Sequence, residues 1–440
     1  YVLDIEKANG VVDKETAENP WDNPDPPVTD FDVQDLIDAI SFGKDYKDIL
    51  HVGSDNNVVL TKNVDFQGKE FTPVNLPTNI SLDGDYHYII NAVHPLFAQC
   101  NGSIRNLEIR DTHITRYAND NNTRSGALAQ QNLGYIDNVR LKNISITLPA
   151  IAGTTRIMSV GGLVGEHENG RISNIYIIGR HVLEVSDPEI GSADGRVYLG
   201  GITGQANGPS PAVRNVFLSQ DEQGNEPEIS LTLKCNGGNF SVGGIAGMIT
   251  TGMENCTISA TIDCSEANSL NCCAGGLFGR GSSTDTGREV KACNATGKVY
   301  GSFATTVITD GGTVFGRSIV GGIGGSIESS LITVSDCRSF CDVFDCFSSG
   351  KGYETSAITN EVFGTGAAFG RITANPRPVV NDCTAWGWIH AVQIPPTSSF
   401  GGSFAGSFVG YAINGFTLGT NTVNTDRNGS LKVCGYDWMQ

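Results

Sequence analysis

Tyr176 and Phe217 are the first residues whose type and spacing suggest a chemistry. Each stands two residues after an Asn, Asn174 and Asn215, in successive copies of one repeated motif, so the two rings share a column. Phe340 and Trp386 share a second column, four residues after Asp336 and Asp382, and Trp388 with His390 continues it outward. Flat aromatic strips of this kind bind the faces of sugars, or else pack beneath a loop folded back over them. Both readings stand at this point. Cleavage of a polysaccharide is a second chemistry, and it needs acids gathered in one outer column beside a Lys or Arg. The residues after the glycine motif described below read Glu166, Gln205, Met248, Arg280, Ser326, Arg371 and Tyr411. Those after the Asn corner read Glu108, Arg140, Tyr176, Phe217, Thr257, Asn294, Arg338 and Thr384. Neither column pairs two acids, so no catalytic residue is assigned, although carboxylates could still meet through loops.

Twelve cysteines offer a third chemistry. Cys256, Cys293, Cys337 and Cys383 take the inward position that Ile175 and Val216 fill in earlier copies, and are expected to be free thiols packed as small core residues. Stacked side chains in parallel give an awkward disulfide dihedral. Cys272 and Cys273 lie beside a loop, with other partners open to them. Cys337, Cys341 and Cys346 lack a second pair at zinc-ligand spacing, and no His cluster completes them, so no metal and no cofactor is expected. His167-Glu168, followed by Asn169-Gly170, reads as a solvated loop. Gly-x-Ser-x-Gly, His-Glu-x-x-His and P-loop motifs are missing.

These columns exist because the chain repeats. Ser159-Val160-Gly161-Gly162-Leu163-Val164-Gly165 recurs as Gly200-Gly201-Ile202-Thr203-Gly204, Gly243 to Gly247, Gly275 to Gly279 and Gly321 to Gly325, with looser forms at Gly366 to Gly370 and Gly406 to Gly410. Successive starts lie 39, 43, 32, 46, 45 and 40 residues apart. Each copy is followed by an apolar residue, Asn or Asp, and an inward apolar residue, as in Ile172/Ile175 and Val213/Val216, and the pattern reaches back to Ile104/Leu107. Fixed short motifs at uneven spacing argue for a solenoid whose excess length loops out. Cys256, Ile258, Ala260 and Ile262 alternate with Thr257, Ser259 and Thr261, which is the period of a strand. A strand meeting its own copy in the same direction makes a parallel ladder. The expected fold is therefore all-β, a right-handed single-stranded parallel β-helix of about nine or ten rungs, roughly 45 Å long at about 4.8 Å per rung.

Glycine supplies 55 of 440 residues, which suits corners needing positive φ or close backbone approach. The corner position reads Asn106, Asn138, Asn174, Asn215 and Asn255, then Ala292, Asp336 and Asp382. An amide ladder interrupted at Ala292 is expected there, since Asn tolerates the left-handed region.

Gly-Gly-apolar-x-Gly followed by Ile-x-Asn-Cys resembles the GLUG motif of extracellular bacterial β-helix proteins, common on the surface of the Bacteroides group. Val58-Val59-Leu60-Thr61, Asp83-Gly84-Asp85-Tyr86 and Pro95-Leu96-Phe97-Ala98 resemble the leading rungs of that family. The resemblance covers roughly residues 55 to 415 and implies export to an extracellular or outer-membrane surface, as a lipoprotein whose lipid anchor lies upstream of Tyr1. It says almost nothing about activity, because the motif residues are structural.

The net charge is −18. Residues 1–50 contribute half of it, with 13 Asp plus Glu against 4 Lys. No basic stripe exists to neutralise phosphates, so nucleic acid is not a partner, and no apolar run approaches the roughly 18 residues of a membrane span. Residues 1–28, with Pro20, Pro24, Pro26 and Pro27, read as an acidic tether. Residues 29–50 hold a short helix, capped by Asp32 and ended by Gly43, that covers the first rung. The β-helix occupies 51–418, with long loops at Asp187 to Arg196, Asp221 to Glu228, Gly281 to Glu289, Phe303 to Phe315 and Phe347 to Phe363. Residues 419–440 form a C-terminal cap around Trp438. The functional expectation is a non-enzymatic cell-surface scaffold for adhesion or glycan binding, with a polysaccharide, a host glycan or another surface protein as partner. A polysaccharide lyase or glycoside hydrolase is the first alternative, and a structural stalk or assembly subunit the second.

Overall fold

The computed structural model describes residues 20–21, 25–115, 124–149, 157–187, 195–235, 238–269, 271–304, 306–309, 312–315, 318–345, 363–373, 378–390, 403–406, 409–412, 417–418 and 422–423. The chain is all-β over these residues apart from one helix and one short helical turn, and its main sheets are parallel. One copy shows the pattern. Ile157–Gly161 joins an eight-stranded sheet, Val164–His167 joins a ten-stranded sheet, and Arg171–Ile178 and Arg180–Asp187 join a third, larger sheet. The next copy, Arg196–Gly200, Thr203–Ala206, Val213–Ser219 and Glu228–Cys235, pairs with it strand for strand in the same direction. The looser glycine copies keep the register as well, with Gly321 opposite Gly366 and Gly366 opposite Gly406.

The alternation read in the sequence places the core. Cys256, Ile258, Ala260 and Ile262 are buried while Thr257, Ser259 and Thr261 are not. Burying one such aliphatic side chain contributes about 1.5–3 kcal/mol, and every copy adds several to a single continuous core. The ten described cysteines are all buried as thiols.

The glycine motif is explained by close approach and not by left-handed backbone. A Cβ on Gly161 would lie 2.2 Å from Val164 O and 2.5 Å from Thr203 Cα. One on Gly204 would lie 2.4 Å from Val160 N and 2.7 Å from Tyr198 O. Left-handed φ is used instead at the Asn corner, from 52° at Asn138 to 55° at Asn174, and at Ala292, Asp336 and Asp382. The corner amides form a ladder: Asn138 donates Nδ2 to Asn106 Oδ1 at 2.7 Å, and Asn215 and Asn255 each donate to the preceding Asn at 2.9 Å. Asn174 breaks the series by donating to Asp137 Oδ1 at 2.7 Å, because an ionised carboxylate is the stronger acceptor.

A helix occupies Val33–Phe42; the Asp32 side chain accepts from Asp35 N, and Gly43 ends it at φ 59°. Its apolar side is buried, and Ser41 Oγ donates to Asn75 O in the first strand of the ten-stranded sheet. Of the long loops, Phe303 to Phe315 contributes an antiparallel hairpin, Thr306–Thr309 with Gly312–Phe315. The interiors of Asp187 to Arg196 and Phe347 to Phe363, nearly all of the 1–28 tether and most of the 419–440 cap, Trp438 included, lie outside the described residues. No helix among the described residues is long and apolar enough to cross a membrane.

Candidate functional site

Register brings the predicted aromatic residues together in two places. Tyr176 pairs directly with Phe217, their ring centroids 5.5 Å apart and tilted by 33°. Both rings are half-buried on the outer side of the sheet, because Ile175 and Val216 beside them fill the core. Burial raises the Tyr176 phenol, with Asp137 adding to the rise. Phe340 and Trp386 meet edge to face, centroids 5.1 Å apart at 89°. Trp388 lies past Gly387, where φ is 148° and a Cβ would strike Cys341 O at 2.0 Å. Its N–H donates to Asp342 Oδ1 at 2.9 Å and its carbonyl accepts from Val343 N. Tyr176 with Phe217 and Phe340 with Trp386 thus form two separate aromatic pairs.

A better ordered stack escaped the sequence reading. Tyr300, Phe344 and His390 lie face to face, with centroids 4.4 Å and 4.2 Å apart and interplanar angles of 13° and 4°. The signal was available, because each stands eight residues after its corner residue, Ala292, Asp336 or Asp382.

The polar columns also organise, through residues two positions further on. Glu108 is buried, and Arg110 Nε donates to its Oε1 at 2.5 Å while Arg140 Nη1 lies 3.4 Å from Oε2. Arg110 rests on the Tyr88 ring at 3.7 Å, and Arg140 faces the Trp21 ring at 5.2 Å. Lys142 donates to Glu222 Oε1 at 2.7 Å, from across the cleft that these groups line. Similarly, Glu328 binds Arg280 at 2.5 Å through one oxygen and Arg371 at 2.6 Å through the other, and Arg371 Nε donates to Ser326 Oγ. Glu166 hydrogen-bonds Arg124; burial still raises its carboxyl, against the pull of that guanidinium. The acids of both columns are therefore held in ion pairs with arginine.

His167 corrects the solvated-loop expectation. It ends the strand Val164–His167, fully buried, with Asn132 Nδ2 2.9 Å from its Nδ1, and burial pushes its imidazole down to about 4. Burial likewise pushes the Cys100, Cys273 and Cys341 thiols up to about 12, which leaves them un-ionised near neutrality. Among the described residues no group of three His, Cys, Asp or Glu is placed to hold a metal ion.

No family model, no curated protein and no solved structure matches this chain.

Proposed function

We propose that the chain is a right-handed parallel β-helix of the GLUG type, begun by a helical cap at Val33–Phe42, that acts as a non-enzymatic glycan-binding scaffold on an outer cell surface. In-register parallel pairing of copies 32 to 46 residues apart supports the coil, and right-handed crossovers are the rule for parallel strands joined in one sheet. The buried face of the helix and its bond to Asn75 support the cap.

The outward pairing of Tyr176 with Phe217, one strand from Arg140, carries the binding reading. Aromatic faces beside a hydrogen-bonding cation suit the alternately apolar and polar surface of a sugar. The arginine pairing of Glu108 and Glu328 favours binding over cleavage, since general acid catalysis needs a carboxyl left to exchange its proton. An extracellular or outer-membrane location, with a lipid anchor upstream, follows from the GLUG resemblance and is part of the same proposal.

A glycan array with the purified chain, beside a Tyr176→Ala/Phe217→Ala double variant, a Trp386→Ala/Trp388→Ala double variant and a reducing-end release assay, tests this reading. Binding without release that is lost in either variant supports it and places the site. Release of sugar ends would instead make the chain a lyase or hydrolase, and no binding at all would move it to a structural role.

A further inference from the structure

The Tyr176–Phe217 and Phe340–Trp386 pairs lie on the outer side of the same, largest sheet. Register connects them. Tyr176 is opposite Phe217, and Thr257 follows Cys256 as Phe217 follows Val216, the Cys256 partner. From Thr257 the column runs through Asn294 and Arg338 to Thr384. Two residues along each strand, a second column leads from Ser259 and Thr296 to Phe340, which meets Trp386. Between the two aromatic pairs lies a polar floor of Thr257, Ser259, Asn294 and Thr296, half-buried like the rings themselves. Its internal bonds are long: Asn294 Nδ2 donates to Thr257 Oγ1 at 3.4 Å, and Thr296 Oγ1 to Ile258 O at 3.5 Å. From Tyr176 to Trp386 the two columns hold twelve residues, and Arg338 is the one charged type among them. Strand by strand the column makes five steps, roughly 24 Å at about 4.8 Å per step. The Tyr300–Phe344–His390 stack does not serve in the same way, since its parallel rings cover one another's faces. The edge-to-face contact of Phe340 with Trp386 leaves ring faces that the partner ring does not cover.

We infer that the two columns form one continuous site for an extended, uncharged polysaccharide chain that lies across the strands, with an aromatic pair under each end. The inference rests on the glycan-binding reading and names its substrate class. Chemistry and spacing both select the ligand. Hydroxyl and amide side chains donate and accept hydrogen bonds, as sugar hydroxyls do, and a floor of this kind offers an ionised sugar little charge to pair with. The net charge of −18 also repels polyanions overall. The column is straight and advances by about the length of one sugar unit per strand. A β-linked chain of equatorially joined pyranoses runs straight enough to follow it, whereas an α-1,4-linked glucan coils away. Once one end stacks on Tyr176 and Phe217, contact of the other end with Phe340 and Trp386 becomes intramolecular, so a chain long enough to reach both pairs gains affinity without any new kind of contact.

The test titrates the intact chain with β-1,4-linked gluco-, xylo- and manno-oligosaccharides from disaccharide to octasaccharide, beside α-1,4-linked gluco-oligosaccharides and β-linked uronic-acid oligosaccharides of the same lengths. The expected result is that one neutral β-linked series gains affinity with length, the hexasaccharide binding at least tenfold tighter than the trisaccharide, and then levels off. Phe217→Ala and Trp386→Ala should each weaken the hexasaccharide about tenfold. Thr257→Arg, placed on the floor between the pairs, should reduce the hexasaccharide to the affinity of the trisaccharide and leave the trisaccharide unchanged, with unaltered circular dichroism in all three variants. Affinity independent of length, or hexasaccharide binding that only one of the two ring variants weakens, overturns the continuous site and leaves glycan binding standing. Tighter binding of the acidic or the α-linked series overturns the substrate class. No binding of any series, together with a blank glycan array, overturns both readings.

Discussion

Ala292 and Asn255 hold the same left-handed backbone conformation, φ 52° in each, at equivalent places in successive copies. Asn255 offsets the strain by donating Nδ2 to Asn215, whereas Ala292 has no side-chain group to do so. A non-glycine residue in this region costs roughly 1–2 kcal/mol. Ala292→Gly is expected to stabilise by about 1 kcal/mol, and Ala292→Asn by at least as much through restored hydrogen bonding to the ladder. Thermal melts of the two variants check this, and a lower Tm in both would refute it.

The glycine motif makes a sharper prediction, because Gly204 and Gly224 differ in kind. Gly204 faces backbone on two sides, at Val160 and Tyr198, while a Cβ on Gly224 would meet nothing within 4 Å. Gly204→Ala should cost more than about 3 kcal/mol, because backbone cannot step aside cheaply. Gly224→Ala pays only for its φ of 80°, about 1 kcal/mol. Urea melts of the two proteins should therefore separate widely, and similar midpoints would contradict the packing argument.

Glu328 joins Arg280 and Arg371 in a largely buried cluster. Glu328→Gln leaves two guanidiniums facing each other and should destabilise by about 3–5 kcal/mol. Ser326→Ala, which removes an acceptor for Arg371 and a long hydrogen bond to Glu328 but leaves the ion pairs in place, should cost about 1–2 kcal/mol. The difference between the two chemical-denaturation curves is the readout.

Buried histidines set an acid limit. His167 and His181 are pushed down to about 4 by burial, whereas an unfolded histidine titrates near 6.5. Above about pH 7 both states are neutral and the residues contribute no pH dependence. As pH falls from about 6.5 toward 4, the unfolded chain takes up protons that the folded chain refuses, so stability falls by up to about 3 kcal/mol per histidine. Urea midpoints should drop between pH 7.5 and 5, and His181→Leu should flatten that slope. A midpoint independent of pH would show that these rings titrate normally.

Ten buried thiols should be silent toward a thiol reagent until the chain opens. Mass spectrometry after iodoacetamide treatment at pH 8 is expected to find Cys100, Cys273 and Cys341 unlabelled in the folded protein and labelled in urea. Rapid native labelling would place them at the surface.

The sequence made the strand period, the repeat boundaries, the Asp32 and Gly43 helix ends and the left-handed corner readable, since each is dictated within a few residues. It also paired Tyr176 with Phe217 through shared offset from an Asn. What it missed depended on neighbours in other copies. Glu108 and Arg140 were seen as one column, but Arg110 and Lys142 stand two residues on, and Glu222 arrives from a loop eighty residues beyond Lys142. Glu328 was missed in the same way, two residues after Ser326. His167 looked solvated because Glu168, Asn169 and Gly170 follow it, yet its own place at a strand end turned it inward.

The claim that the outer column running from Arg140 to Phe217 holds a glycan is tested most directly by calorimetric titration. The strongest ligand from the array would be titrated into the wild-type chain and into Phe217→Ala, with thermal melts run on both. Loss of stacking should weaken binding about tenfold, near 1.4 kcal/mol, with Tm unchanged within a few degrees. Equal affinity in the two proteins would contradict the account.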